Sequence, residues 1–134
     1  MIEIISDNYK IDIDHFNNVI KIISSQLGLN GDATIKIGDE KESRALNNKF
    51  RNKDYPTDVL TFIANEELPD GYYLGDIFIC DKILIDQAAE AKISEKLELT
   101  ILIIHGLLHL KGYDHETDSG EMLRLQEELL IKLR

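Results

Sequence analysis

Ser94-Glu-Lys-Leu-Glu-Leu-Thr-Ile-Leu-Ile-Ile-His105-Gly-Leu-Leu-His109-Leu-Lys-Gly112-Tyr-Asp-His115 is the stretch around which the rest of the chain must be arranged. Ser94 suits a helix N-cap, and Gly112 suits the left-handed residue that ends a helix. A helix running to about Lys111 is therefore predicted. Its apolar residues Leu97, Leu99, Ile101 to Ile104, Leu107, Leu108 and Leu110 surround it on nearly every side. A helix apolar all round is buried, so other elements must wrap it. Three of the chain's four histidines fall in the same stretch. His105 and His109, four apart, share one face of the helix, one turn from each other. Beyond Gly112 the chain can turn back and bring His115 to meet them. Three imidazoles with no fourth protein ligand in the window are the donor set of a catalytic zinc site. Such a site keeps its fourth position open for water and activates that water near neutral pH.

The flanking sequence supplies the wrapping. Ile2 to Ser6, short and rich in isoleucine, is a predicted strand. Asp14 can cap a helix whose apolar face is Phe16, Val19, Ile20, Ile23 and Leu27. Leu29 to Asp32 is a turn around Gly31. Ala33 to Gly38 alternates as a second strand. Asp39 or Glu40 opens a second helix ending near Phe50 or Arg51. Arg51 to Thr57 is a loop, because Pro56 biases Tyr55 away from helix. Val59 to Ala64 and Gly75 to Cys80 are predicted strands, joined through a loop or hairpin over Glu66 to Tyr73. Asp81 to Lys92 is a third helix. A last amphipathic helix from Glu116 onward turns Met122, Leu125, Leu129 and Leu130 inward. The order β-α-β-α-β-β followed by helices predicts an α+β, sandwich-like fold: a small mixed four-stranded sheet with packed helices, and a buried central helix carrying the metal site.

Composition narrows the function classes. A chain of 134 residues is expected to form one domain over 1–134. Its 43% hydrophobic and 30% charged residues match a soluble globular protein. Cys80 is the only cysteine, which excludes an intrachain disulfide and fits a reducing cytoplasm. Met1-Ile-Glu-Ile-Ile-Ser-Asp lacks the basic-then-apolar order of a signal peptide. No apolar run approaches the roughly 20 residues of a membrane span. The net charge of −10 opposes general affinity for phosphate backbones, but it does not fix the local potential. Lys36, Lys41, Arg44, Lys49, Arg51 and Lys53 concentrate in one segment. Acidic residues gather between Glu66 and Asp76 and after His115. Solvated faces are the simplest reading of most of these charges.

The spacing H-x-x-x-H-x-x-G-x-x-H matches the long zinc-peptidase pattern H-E-x-x-H-x-x-G-x-x-H. Gly106 stands where those peptidases carry their general-base Glu. Glycine cannot move a proton, so peptide hydrolysis would need a carboxylate from elsewhere. His15, far from the others at a helix start, reads as a surface or capping residue. Cys80 reads as a small buried hydrophobe. Met122 sits on a predicted helix, unlike the peptidases' methionine turn.

The segment from His105 to His115 resembles the signature of the YbeY family, the bacterial rRNA-maturation endoribonucleases. Phe50-Arg51-Asn-Lys-Asp-Tyr-Pro56-Thr57-Asp58-Val-Leu-Thr-Phe62 and Tyr73-Leu-Gly75-Asp76-Ile-Phe-Ile-Cys80 resemble it as well. Order and spacing agree over nearly the whole chain. The resemblance implies a cytoplasmic metallo-endoribonuclease specific for single strands. Its substrate would be the 3′ end of the small-subunit (16S) rRNA, and it would serve ribosome quality control. The implied partners are rRNA and small-subunit ribosomal proteins or assembly factors, with no DNA and no membrane. One zinc ion would be held by His105, His109 and His115, and the family's important arginine maps onto Arg51.

On that reading Arg51 would hold phosphate oxygens through its planar fork, with Lys49 and Lys53 leading the strand in. Arg51 and His109 are the catalytic candidates. An ordinary loop arginine in a surface ion pair is the bland reading of Arg51. The proton-handling group is open among Asp114, Glu116 and Asp76, and Asp114 could instead orient a ligand imidazole. Tyr55 and Tyr113 could stack on bases, although packing is the simpler reading of each. Three imidazoles also accept nickel or copper. Two other functions compete: a non-catalytic, zinc-stabilised ribosome assembly factor whose acidic surface docks on basic partners, and a metal-dependent hydrolase of peptides or small esters.

Overall fold

The computed structural model describes residues 1–114 and 119–133. The chain runs β1 (Ile2–Ser6), α1 (Ile13–Leu27), β2 (Asp32–Gly38), α2 (Glu40–Arg51), β3 (Val59–Leu68), β4 (Gly71–Cys80), α3 (Asp81–Ala91), α4 (Glu95–Lys111) and α5 (Glu121–Lys132). The four strands lie in the order β1-β2-β4-β3. β1 and β4 both pair parallel to β2, and β3 closes antiparallel on β4. This is the mixed sheet of the α+β fold that the sequence predicts.

Strand alternation divides the apolar side chains between two faces. Ile35, Ile37, Ile77 and Ile79 pack into the main core with Phe16, Ile20 and Ile23 of α1 and Ile103, Ile104, Leu107 and Leu108 of α4. Leu60, Phe78 and Cys80 form a second cluster with Leu46 of α2 and Ile83 of α3. Helix α4 is the buried axis of the larger cluster, as its all-round apolar sequence requires. A narrow stripe escapes: Leu97 is exposed and Ile101 half-buried. Ser94 caps α4 by accepting from the Leu97 N–H at 3.0 Å. No helix among the described residues is long and apolar enough to cross a membrane.

Element ends differ from expectation in three places. Asp12, not Asp14, caps α1 by accepting from the His15 N–H. Asp14 lies in the first turn, where a negative charge still suits the helix dipole. β3 and β4 are longer than predicted and form one hairpin reversing at Pro69-Asp70. Its outer half is exposed on both faces, so no apolar alternation marked it in the sequence. A bulge with Asn65 at φ 49° shifts the register there. The last helix starts at Glu121 after Gly120 at φ 105°. Met122 and Leu129 point inward as expected, while Leu125 and Leu130 are only half-buried.

Candidate active site

A cleft of about 620 Å3 runs along β3, the edge strand of the sheet, between the α2–β3 loop and the C-terminal end of α4. α4 contributes His105 and His109, which are half-buried. Their Nε2 atoms lie 3.1 Å apart, with the rings edge to face at 4.7 Å between centroids. The helix stops just beyond them. Gly112, at φ 113°, donates to the His109 carbonyl at 3.0 Å, and Tyr113 donates to that of Leu108 at 3.1 Å. These paired bonds turn the chain sharply and bring Tyr113 and Asp114 into the cleft wall. His115 and Glu116 lie outside the described residues, so the third expected ligand and one acid–base candidate are not placed. Among the described residues, no three His, Cys, Asp or Glu side chains cluster as a metal site.

The opposite wall comes from α2 and its following loop: Asn47, Arg51, Lys53, Tyr55, Thr57 and Asp58. Arg51 donates from Nη2 to the Thr61 carbonyl of β3 at 2.9 Å. That bond satisfies an edge-strand oxygen and holds the guanidinium in the cleft wall. The basic segment is thus sorted by its partners and its place, and Lys41 lies outside the cleft wall. Lys36 pairs with Glu42 and Asp7, and Arg44 pairs with Asp54. Lys49 stands 5.1 Å from the centroid of the Phe50 ring and is not in the cleft wall. Arg51 and Lys53 line the cleft, and neither has an ion-pair partner among the described residues.

Other candidates fall elsewhere. Asp76 is exposed outside the cleft wall and accepts from the Tyr73 hydroxyl. His15 is half-buried, its ring edge-on to Phe16 at 4.9 Å. Cys80 is fully buried, and burial pushes its thiol pKa up, as suits an inert core residue. Sequence reasoning missed Ser43, Asn47 and Glu98. All three are buried polar residues on helices, and sequence periodicity does not flag an inward-facing polar side chain. A second groove, about 820 Å3 between β1 and α1, is larger but holds no histidine, so size does not locate the chemistry.

A family model described as endoribonuclease YbeY matches residues 2–134. The chain belongs to the YbeY family. The curated relative from Macrococcus caseolyticus, named endoribonuclease YbeY, is 39% identical over 96% of this chain and 92% of its own length. Its namesake from Nautilia profundicola is 40% identical over 94% and 86%. A solution structure of a Thermotoga maritima protein, 31% identical, superposes with a TM-score of 0.68 over 99% of this chain and 89% of that one. Family membership covers all the elements that build the cleft.

Proposed function

We propose that this chain is a zinc-dependent endoribonuclease that cuts single-stranded RNA in this cleft. The observation that carries the reading is the meeting of two converging imidazoles with two cations that have no ion-pair partner among the described residues. The relatives' name, endoribonuclease, supplies the reaction class. We assign the natural substrate to the 3′ end of small-subunit rRNA, with small-subunit ribosomal proteins or assembly factors as partners, in the cytoplasm.

The donor set fits a zinc ion. Two nitrogens on a tetrahedral ion, each bonded at about 2.0–2.1 Å, stand roughly 3.3 Å apart. His105 and His109 hold theirs at 3.1 Å, and His115 is the proposed third ligand. Bound there, zinc would supply Lewis-acid activation of water and of a phosphoryl oxygen. The chain's own residues do the rest. Arg51, anchored on Thr61, offers its remaining N–H donors to non-bridging phosphate oxygens. Lys53 adds a point charge on the same wall, and Lys49, outside it, adds only longer-range attraction. Asp58 and Asp114 are the described carboxylates that line the cleft. Asp58 accepts from the Val59 N–H at 2.7 Å, and Asp114 follows the turn that ends α4 on the same side as the two histidines; either could carry the proton.

The relatives' name favours the nuclease over the peptidase alternative. Gly106 packs against Ile77 of β4 and brings no general base at its own position. Cleavage of labelled single-stranded RNA by wild type, His109→Ala and Arg51→Ala, with metal assayed in each, tests the proposal. Loss of metal and cutting in His109→Ala, with loss of cutting alone in Arg51→Ala, is expected. Equal cutting by all three would mean a contaminant and would overturn it.

A further inference from the structure

The loop from Lys53 to Thr57 is pinned to α2 at almost every residue. The Lys53 N–H donates to the Asn47 carbonyl at 3.3 Å. Asp54 takes a two-pronged contact from Arg44, at 2.8 and 3.0 Å. The Asn47 side-chain amide donates to the Tyr55 carbonyl at 2.8 Å. Pro56 has its φ fixed by its ring. The Ser43 hydroxyl donates to the Thr57 carbonyl at 2.9 Å and accepts from the Thr57 N–H at 3.0 Å. Ser43 and Asn47 are buried, at 0% and 2% exposure, so these anchors are shielded from competing water.

Yet the one aromatic side chain on this locked loop is not packed away. Tyr55 is 53% exposed, and its hydroxyl makes no hydrogen bond among the described residues. Packing, the simpler reading of its sequence, therefore fails for Tyr55. The ring stands in the wall of the same cleft as Arg51 and Lys53, with exposed Ile63 of β3 on that cleft too. A rigid exposed aromatic beside backbone-binding cations is how single-strand binders seat a base. The ring stacks on the base's π-face while the cations hold the phosphates. Because the loop is ordered before binding, less entropy is lost when the base docks.

We propose that Tyr55 is a base-stacking platform, held in place by Ser43 and Asn47, that seats an unpaired nucleobase beside the phosphate bound by Arg51. This rests on the RNA reading of the cleft and adds a subsite to it.

The chain contains no tryptophan, so Tyr55→Trp introduces a single reporter at the subsite. The probes are a short 2′-O-methyl oligouridylate, which resists cleavage, and an abasic phosphodiester strand of equal length and charge. The uridylate should quench the Trp emission and the abasic strand should not. Tyr55→Ala should weaken uridylate binding about tenfold and leave abasic binding unchanged. Tyr55→Phe should keep wild-type affinity, since the ring and not the hydroxyl is used. Asn47→Ala should raise KM for RNA while sparing kcat and metal content. If Tyr55→Ala binds both strands as wild type does, or both strands quench the reporter equally, the stacking assignment is wrong while the nuclease reading stands. If wild type binds neither strand and cuts no RNA, both are wrong.

Discussion

A methyl group placed on Gly106 would stand 2.8 Å from Cδ1 and 2.9 Å from Cγ2 of Ile77. Helix α4 sits this close to β4 because position 106 carries no side chain. The glycine in the histidine motif therefore does two things at once. It withholds the base that a zinc peptidase would use, and it lets the His-bearing helix seat against the sheet. Gly106→Ala should destabilise the protein by about 1–3 kcal/mol through overpacking, although alanine is the better helix former by about 1 kcal/mol. Urea unfolding measures the difference, and an unchanged midpoint would show that Ile77 yields without cost.

The Ser43 hydroxyl holds both backbone groups of Thr57. Ser43→Ala leaves a part-buried N–H and carbonyl without that partner, at a cost of about 1–3 kcal/mol. Amide exchange at Thr57 should accelerate while exchange within α4 stays slow. Equal acceleration everywhere would mean that the loop has no local role.

The central helix was legible because its apolar residues leave no polar face, and the same residues fixed where two of the histidines would lie. The outer half of the β3–β4 hairpin was not. Asn65, Glu66 and Glu67 are exposed there, and the strand is held by backbone bonds that side-chain patterning does not register. The site divides similarly. His105 and His109 announce themselves by a spacing of four on a helix. Arg51 and Lys53 stand out from the other cations only once the cleft wall is seen, since Lys41 and Lys49 also have no ion-pair partner among the described residues. Ser43 and Asn47 act through loop carbonyls that sit eight or more residues away in the chain, a relationship with no local sequence signal.

Glu98 is buried on α4. Burial, and then the charge of Asp58, raises its pKa above the ordinary carboxylate range. The folded protein therefore keeps a proton that the unfolded chain has released, and stability falls as pH rises through that interval. Below the ordinary carboxylate range both states are protonated and the penalty vanishes. Glu98→Gln should be more stable than wild type at neutral pH, with the gap closing as the pH drops to the acid side of that range. A gap that stays constant with pH would assign the effect to packing instead.

Metal removal separates the proposed zinc site from its catalytic use. A ligand that binds only the folded state adds about 4 kcal/mol when present at a thousandfold excess over its Kd. For a domain of this size that corresponds to a rise in Tm on the order of 10 °C. Chelation of the wild type should reverse such a rise, and added zinc should restore it. His105→Ala should melt at the chelated wild-type temperature and respond to neither treatment, because one of the two nitrogens held 3.1 Å apart is gone. Arg51→Ala should follow the wild type in both, since its guanidinium contacts the Thr61 carbonyl and not the imidazoles. If His105→Ala gained as much stability from zinc as the wild type does, the ion would be bound elsewhere and the assignment of the cleft as a metal centre would fall, whatever the RNA assays gave.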